Sequence, residues 1–494
     1  MMDYQAFIFV GGGKQLEPFS RTKGDTDHSI VKALLPIANR PMIEYMLDWC
    51  EQAAFSELTV VVDEEDEIAL TEGLQPYFKR RTAAYETLLK NLKDNNESVN
   101  SSFFKKPIPI KIVSSKCKSS GEILYKELAP KITKDFVILP CDFITDLPPQ
   151  ILKYQFLNAP DNQVCMSIHY KNNFENVDKK QLGTTYTIYN KTKFLDSYTK
   201  ESVDKARYLK IRNQLLWRHS NVSGSKKLLN SSMYFCKYEI LKIFEELVHT
   251  KVDFFNNKPI NKIFRDLARR SWQHAQEKDS VGMFIVPEEA TMIRSNNLST
   301  YLESNRYMLK LHQENGLTAT AHGSHKTASG TSQSSGAVGA DSLVGEKCTL
   351  GDRSSIKKSV VGGNCKIGKK CRIVGSIIFD NVEIEDECHI ENCIIGKNVK
   401  IEKKSKLTNC NVQSKYIVQE ESMYKGETLK SIFVNEDEFG FDGSESGSGA
   451  EDGLYSSGDG FSGSDDDDEN SDYTSSEAAV SDDEFDGDDF FDRS

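Results

Sequence analysis

Between Val344 and Val418 aliphatic residues recur with a period of 17, and no other feature restricts so tightly what this chain can fold into. They fall in three columns: Val344, Val361, Ile378, Ile395 and Val412; Leu350, Ile367, Ile384, Ile401 and Val418; Ile356, Ile373, Ile390 and Leu407. The steps run six, six and five, and all fourteen slots are aliphatic. A hexapeptide-type step makes one face of a triangular parallel coil, so three steps close a turn and stack each aliphatic side chain over its counterpart one turn on. The region is expected to be a parallel β-helix with one face per coil a residue short. Its predicted core includes Val361, Ile367, Ile373, Ile378, Ile384, Ile390, Ile395 and Ile401.

Two positions ahead of each slot the residue is Ser, Cys or Val, until Tyr416 breaks the rule in the last coil. Strand residues two apart point the same way, so these small side chains are expected inside with the aliphatic ladder. Gly345, Gly351, Gly362, Gly368 and Gly396 directly follow slots, where the coil turns and glycine tolerates positive φ. Six of the eleven cysteines, Cys348, Cys365, Cys371, Cys388, Cys393 and Cys410, occupy the small interior positions. With no CxxC pair present they read as packed free thiols rather than metal ligands.

The net charge of −12 conceals a division. Residues 436–494 hold 22 Asp or Glu and one basic residue, Arg493, so this segment carries −21 and the remainder of the chain +9. Gly, Ser and acid repeats cannot bury enough apolar area to offset ordering entropy, which predicts a disordered acidic tail over 429–494. Ser464, Ser476 and Ser481 beside acids are candidate sites for an acidophilic kinase. No run approaches the apolar length of a membrane span, and a strand-like run begins at residue 4 without a leader, so a soluble cytosolic protein is expected.

Strand-like runs at 6–10, 58–62, 110–113 and 136–139 alternate with helix-like runs at 41–53 and 121–128, the pattern of an α/β domain with a mostly parallel sheet. The expected organisation is an α/β domain over 1–312 with a polar insertion at about 80–106, a flexible linker over 313–340 rich in Gly, Ser, Thr, Ala and His, the β-helix over 341–428, and the tail. A basic stretch, 200–227, carries eight Lys or Arg against Glu201 and Asp204. It reads as a solvated face or as contact for an acidic or phosphate-rich partner, and its sparse aromatic interleaving gives little support to nucleic-acid binding.

The strand at 6–10 runs into Gly11-Gly12-Gly13-Lys14-Gln15-Leu16-Glu17-Pro18-Phe19-Ser20, and Val31-Lys32-Ala33-Leu34-Leu35-Pro36-Ile37-Ala38-Asn39-Arg40-Pro41 follows. A glycine-rich turn after a first strand lets backbone N–H groups approach a phosphate, and a nearby lysine adds charge. It is neither a P-loop nor a dinucleotide fingerprint, because the Gly-Lys-Ser/Thr end and the third spaced glycine are missing. The candidate nucleotide-binding residues are Gly11, Gly12, Gly13, Lys32 and, at the end of the strand 136–139, Asp142. On the residues alone Asp142 reads also as a strand-end cap and Lys32 as a surface lysine.

Together these segments resemble the sugar-nucleotide pyrophosphorylase type of nucleotidyltransferase. In that family the loop reads Gly-x-Gly-Thr-Arg-Leu-x-Pro, the next motif Pro-Lys-x-Leu-Leu-Pro, and a strand-end Asp binds the metal that steadies the triphosphate. The resemblance covers nearly all of the chain ahead of the tail. It implies a Rossmann-like nucleotidyltransferase domain followed by a left-handed β-helix. This chain departs where chemistry would be done: Gln15 stands for the loop arginine, Lys14 for its threonine, Val31 for a proline, Ser232 for the glycine of Asn-x-Gly-x-Tyr, and Lys262 for the second metal-binding Asp. Without the arginine and a metal ligand the transferred phosphate loses its cationic stabilisation.

A disarmed nucleotidyltransferase domain joined to such a coil resembles the gamma-type subunits of eukaryotic translation initiation factor 2B, most closely through Cys141-Asp142-Phe143-Ile144-Thr145-Asp146 and residues 31–36. The epsilon-type subunits add a helical exchange domain after the coils, where only the acidic segment is expected here. The resemblance implies a non-catalytic subunit without cofactor or metal. Its partners would be the epsilon subunit as a heterodimer, the alpha, beta and delta subunits, and translation initiation factor 2, with no membrane and no direct nucleic-acid contact. The rival readings are an active pyrophosphorylase of the mannose-1-phosphate guanylyltransferase type and an acyltransferase built on the coil, for which His389 is the only histidine.

Overall fold

The computed structural model describes residues 3–20, 29–94, 107–274, 278–314 and 337–430. The acidic tail, its candidate phosphorylation sites and most of the expected linker lie outside them.

The strand Gln5–Phe9 is buried on both sides, and its alternation splits one apolar run between two cores. Ala6 and Ile8 face the cluster that contains Met46, Leu47 and Trp49 of the helix Met42–Ala53, while Phe7 and Phe9 face the cluster of Phe244, Ile263 and Phe264. Helices therefore cover both faces of one ten-stranded sheet. In spatial order its strands are Ser223–Ser225, Thr185–Asn190, Lys193–Thr199, Ser280–Ile285, Gln163–Lys171, Leu228–Cys236, Phe136–Pro140, Gln5–Phe9, Glu57–Asp63 and Ile110–Ser115.

The sheet is mixed rather than mostly parallel. The last four strands run parallel, as the α/β alternation predicts, but Leu228–Cys236 joins them antiparallel and the far half continues largely antiparallel. Thr185–Asn190 and Lys193–Thr199 are joined by a short turn, which only antiparallel pairing permits. The start of the expected insertion is also part of the fold: one helix runs Glu67–Asp94, and Arg80 holds the buried Glu44 at 2.6 Å while Arg81 pairs with Glu51. Residues 95–106 lie outside the described residues.

The second part stacks strands of two or three residues into three parallel sheets, each rung after the first paired with the residue 17 positions on, as Val361 with Ile378 and Ile378 with Ile395. Its first strand, Ala337–Val338, lies ahead of the expected start at 341. All eight named core residues are buried, together with Cys365, Cys371, Cys388, Cys393 and Cys410; Cys348, in the first full coil, is half-buried. No described cysteine is disulfide-bonded.

The glycines after the slots do a different job from the one expected. Positive φ falls two residues later, on Asn364 (56°) and Lys370 (58°) among others, while Gly362 and Gly368 do not adopt it. What those glycines supply is closeness: a Cβ on Gly362 would lie 2.7 Å from the backbone nitrogen of Asp380 in the next coil, and one on Gly368 2.6 Å from the carbonyl carbon of Glu385.

One sheet of the coil is apolar outside as well as inside. Val360, Ile377 and Ile394 point outward and are 2% exposed, because they and Phe379 share a cluster with Leu16, Phe19, Leu35, Ile37, Tyr301 and Met308 of the α/β domain. The corresponding outward residues of a neighbouring sheet are Lys366, Glu383 and Lys400. The helix Leu298–Glu314 contributes Arg306, whose Nη2 donates to Asn392 Oδ1 at 3.0 Å.

Candidate functional site

The parallel strands Gln5–Phe9 and Phe136–Pro140 are neighbours in register, so the loops leaving their C-terminal ends meet. One loop carries Gly11, Gly12 and Gly13, the other Asp142. Ligands in open α/β sheets bind beyond the carboxyl ends of strands, which makes this the place to look for chemistry.

Gly13 has φ of 77°, and a Cβ there would meet Ser20 Cβ at 2.9 Å and Lys32 Cβ at 3.2 Å. Both the backbone angle and the crowding demand glycine. The reversal at Gly13 sends Leu16 and Phe19 into the interface with the coil, where Phe19 packs on Phe379 at 5.5 Å between ring centroids. The loop that in nucleotidyltransferases lies along phosphates is thus also a strut between domains. Lys14 and Gln15 at its tip are exposed.

Lys32 sits in the short helical turn Lys32–Leu34, whose neighbours Val31, Ala33 and Leu35 are all buried and drag the lysine in with them. It is 4% exposed, which removes the surface-lysine reading. Its Nζ lies 2.7 Å from Asp142 Oδ2. Asp142 is wholly buried and has a second cation, Arg294 from the strand Met292–Arg294: Nε donates to Oδ1 at 3.2 Å and Nη2 to Oδ2 at 3.3 Å. Burial alone would raise the Asp142 carboxyl, but Arg294 and Lys32 together outweigh it and hold it below the usual carboxylate range. Burial also pushes the adjacent Cys141 thiol up to about 12, so it is no nucleophile at neutral pH.

The third arm is Ser232. Where the family pattern has glycine, Ser232 keeps a glycine-like left-handed backbone with φ of 58°, at a register irregularity between Asn230 and Tyr234. Its amide donates to Asn230 Oδ1 at 2.8 Å and its Oγ accepts from Arg294 Nη1 at 3.2 Å, so the arginine ties the serine to the aspartate. Tyr234 donates to Asn261 Oδ1 at 2.8 Å and stacks on Phe264. Asn261 and Lys262 open the helix Ile260–Gln273 and place Lys262 on a cleft also lined by His169, Thr187, Asn230, Arg265 and Arg294. His169 is 1% exposed, its Nδ1 finds no hydrogen-bond partner among the described residues, and burial pulls its imidazole down to about 4.

A divalent metal does not fit this arrangement. Both Asp142 oxygens already take charged donors, Lys262 adds a cation rather than a carboxylate to the cleft, and no group of three His, Cys, Asp or Glu among the described residues has metal-binding spacing. The structure brings Gly13, Lys32 and Asp142 together. Gly12 has open space around it, and Gly11 is buried against Cys141. Sequence reasoning missed Arg294, which no motif marks; its signal is a lone basic residue in the apolar run around Met292 and Ile293. It also missed the interdomain face, although the aliphatic series Leu343, Val360, Ile377 and Ile394 at outward positions was legible.

Two relatives and one family model fit this architecture. Residues 322–423 match the model described as the EIF2B subunit epsilon LbH domain, the left-handed β-helix. Over 385 residues, 72% of this chain and 74% of the relative, the sequence is 28% identical to translation initiation factor eIF2B subunit gamma of Schizosaccharomyces pombe. It is also 23% identical over 185 residues, 37% of this chain and 39% of the relative, to a bifunctional sugar-1-phosphate nucleotidylyltransferase/acetyltransferase of Sulfurisphaera tokodaii. The fold is thus a nucleotidyltransferase-like α/β domain followed by a left-handed β-helix. No described helix is long and apolar enough to cross a membrane.

Proposed function

From the chain's homology to the eIF2B gamma subunit, we propose that it is a non-catalytic subunit of the guanine nucleotide exchange factor for translation initiation factor 2. In this reading it pairs with the catalytic epsilon subunit, joins alpha, beta and delta subunits in the full complex, works in the cytosol, and helps hold the substrate G protein. The observation that carries it is the Lys32–Asp142–Arg294 cluster. The aspartate that in the resembled nucleotidyltransferases binds a metal is in this reading the counter-ion of two protein cations. Nucleotidyl transfer needs positioned cationic charge on the phosphates, and Gln15 and the engaged Arg294 supply none at the loop. Gly11, Gly12, Gly13, Lys32 and Asp142 are accordingly read as a vestigial nucleotide site.

What survives is surface. The coil and the α/β domain share an apolar cluster, and the +9 charge outside the acidic segment suits an acidic protein surface. The likeness to a sugar-1-phosphate nucleotidylyltransferase keeps the pyrophosphorylase reading as the alternative. Co-expression with the epsilon subunit followed by size-exclusion chromatography separates the two. A stable heterodimer, with exchange activity absent from this chain alone and pyrophosphate release at background, supports the subunit reading. A monomer with Mg²⁺-dependent pyrophosphate release, abolished by Asp142→Ala, would overturn it.

A further inference from the structure

The ten-stranded sheet ends on Ser223–Ser225, which pairs Ser223 with Tyr189, Gly224 with Ile188 and Ser225 with Thr187. No strand among the described residues pairs with its other side. The opposite edge, Ile110–Ser115, is packed by the helix Glu67–Asp94, but Ser223 and Gly224 are exposed. An edge strand presents a row of backbone donors and acceptors, a template for another strand.

The surroundings of this edge are charged in one sense. In the segment that leads into it and the turn that follows, Lys205, Arg207, Lys210, Arg212, Lys226 and Lys227 are exposed, against the acids Glu201 and Asp204. Lys226 lies over the ring of Tyr186 at 5.5 Å, which extends the basic surface onto the neighbouring strand. The segment is nevertheless anchored: Leu215 is buried with Ile188, Leu195 and Trp272, and Leu209, Ile211 and Val222 pack against them. On that fixed base Trp217 is 82% exposed and Tyr208 62%. A large aromatic held in water by a packed helix is a costly arrangement for a merely solvated face, and aromatic residues are enriched at the centres of interfaces.

We propose that the edge Ser223–Ser225 and the basic, aromatic rim around it receive an extended acidic polypeptide segment by strand addition. The backbone favours a polypeptide over a nucleic acid, because an edge offers alternating N–H and C=O groups and a phosphodiester chain supplies only acceptors for the first kind. The charge sets the sign of the partner, and Trp217 supplies the anchor. This assignment is independent of the subunit reading.

The test uses the full chain and a fluorescently labelled peptide alternating Glu and Val, read by anisotropy. The acidic peptide should bind, and a Lys-Val counterpart should not. N-methylation of alternate peptide nitrogens removes ladder donors without touching the protein and should weaken binding about tenfold. The double substitution Lys226→Glu with Lys227→Glu, on exposed side chains, should cost a similar factor. Trp217 is the only exposed tryptophan, since Trp49 and Trp272 are 5% and 2% exposed, so bound peptide should shield it from acrylamide. Undiminished binding of the N-methylated peptide refutes strand addition. Tighter binding of polyuridine at matched charge and salt refutes the polypeptide assignment, and unchanged quenching with peptide bound refutes the role of Trp217.

Discussion

Arg294 grips both carboxylate oxygens of Asp142 with two of its nitrogens, at 3.2 and 3.3 Å, in a site where the carboxylate is completely buried. Lys32 completes the cluster at 2.7 Å. Such a group is held in place by mutual need. Taking three charges out of water is expensive, and the attraction offsets that expense only while all three are present.

The first expectation follows from that dependence. Asp142→Ala leaves Lys32 and Arg294 buried side by side without their shared anion, and should cost about 3–5 kcal/mol of stability. Chemical denaturation should show a lower midpoint with unchanged slope. A shift within error would mean that the cluster is looser in solution than its geometry.

Phe379 is the second test. It is 1% exposed, meeting Phe19 at 5.5 Å and Tyr301 at 6.5 Å between centroids, and with Val360, Ile377 and Ile394 it carries the coil into the apolar cluster shared with the other domain. Phe379→Ala should cost about 3–5 kcal/mol, by lost burial and by the cavity left behind. The loss falls at the seam, so thermal unfolding should split into two transitions. A single transition at the original temperature would show that the domains do not depend on this contact.

Inside the coil, Ile384 is 3% exposed and stacks between Ile367 and Ile401. Ile384→Asp buries an unpaired carboxylate and should cost several kcal/mol, enough to remove soluble protein or to force the coil open. Normal yield and unaltered circular dichroism from this variant would contradict the column assignment.

The pH dependence has a sign set by His169. Its folded imidazole titrates at about 4, below its ordinary value, so below about pH 6.5 the unfolded chain binds a proton that the folded chain refuses. Stability should therefore decline as pH falls from about 6.5 to 4, by about 3 kcal/mol in total. Asp142 acts lower: its depressed carboxyl contributes fully above about pH 4 and is lost only as pH falls further. Denaturation midpoints of the parent and His169→Gln between pH 7 and pH 4 check the first claim; parallel curves would refute it.

The coil was legible residue by residue because its physics is local. A rung touches only the rungs beside it, so a repeat of 17 in the chain becomes a repeat in space, and the interior columns follow with no further information. The glycine-rich turn and the parallel strands around it were legible for the same reason, each being a run of residues with one period.

The antiparallel half of the sheet, the helix through Arg80 and the closed site were not legible, because each depends on residues far apart in the chain. Arg294 reaches Asp142 across 152 positions, and Asn39 Nδ2 reaches the Val361 carbonyl across 322, at 2.7 Å. The glycines beside the coil slots make the same point at short range. Their composition suggested a freedom of φ, whereas the approach of the next coil's backbone is what excludes a side chain there. By itself the sequence determined which residues must be buried and where the motifs depart from the family pattern. Only the tertiary structure decided what pairs with Asp142, because pairing of buried charges depends on distances that the folding of separate segments creates.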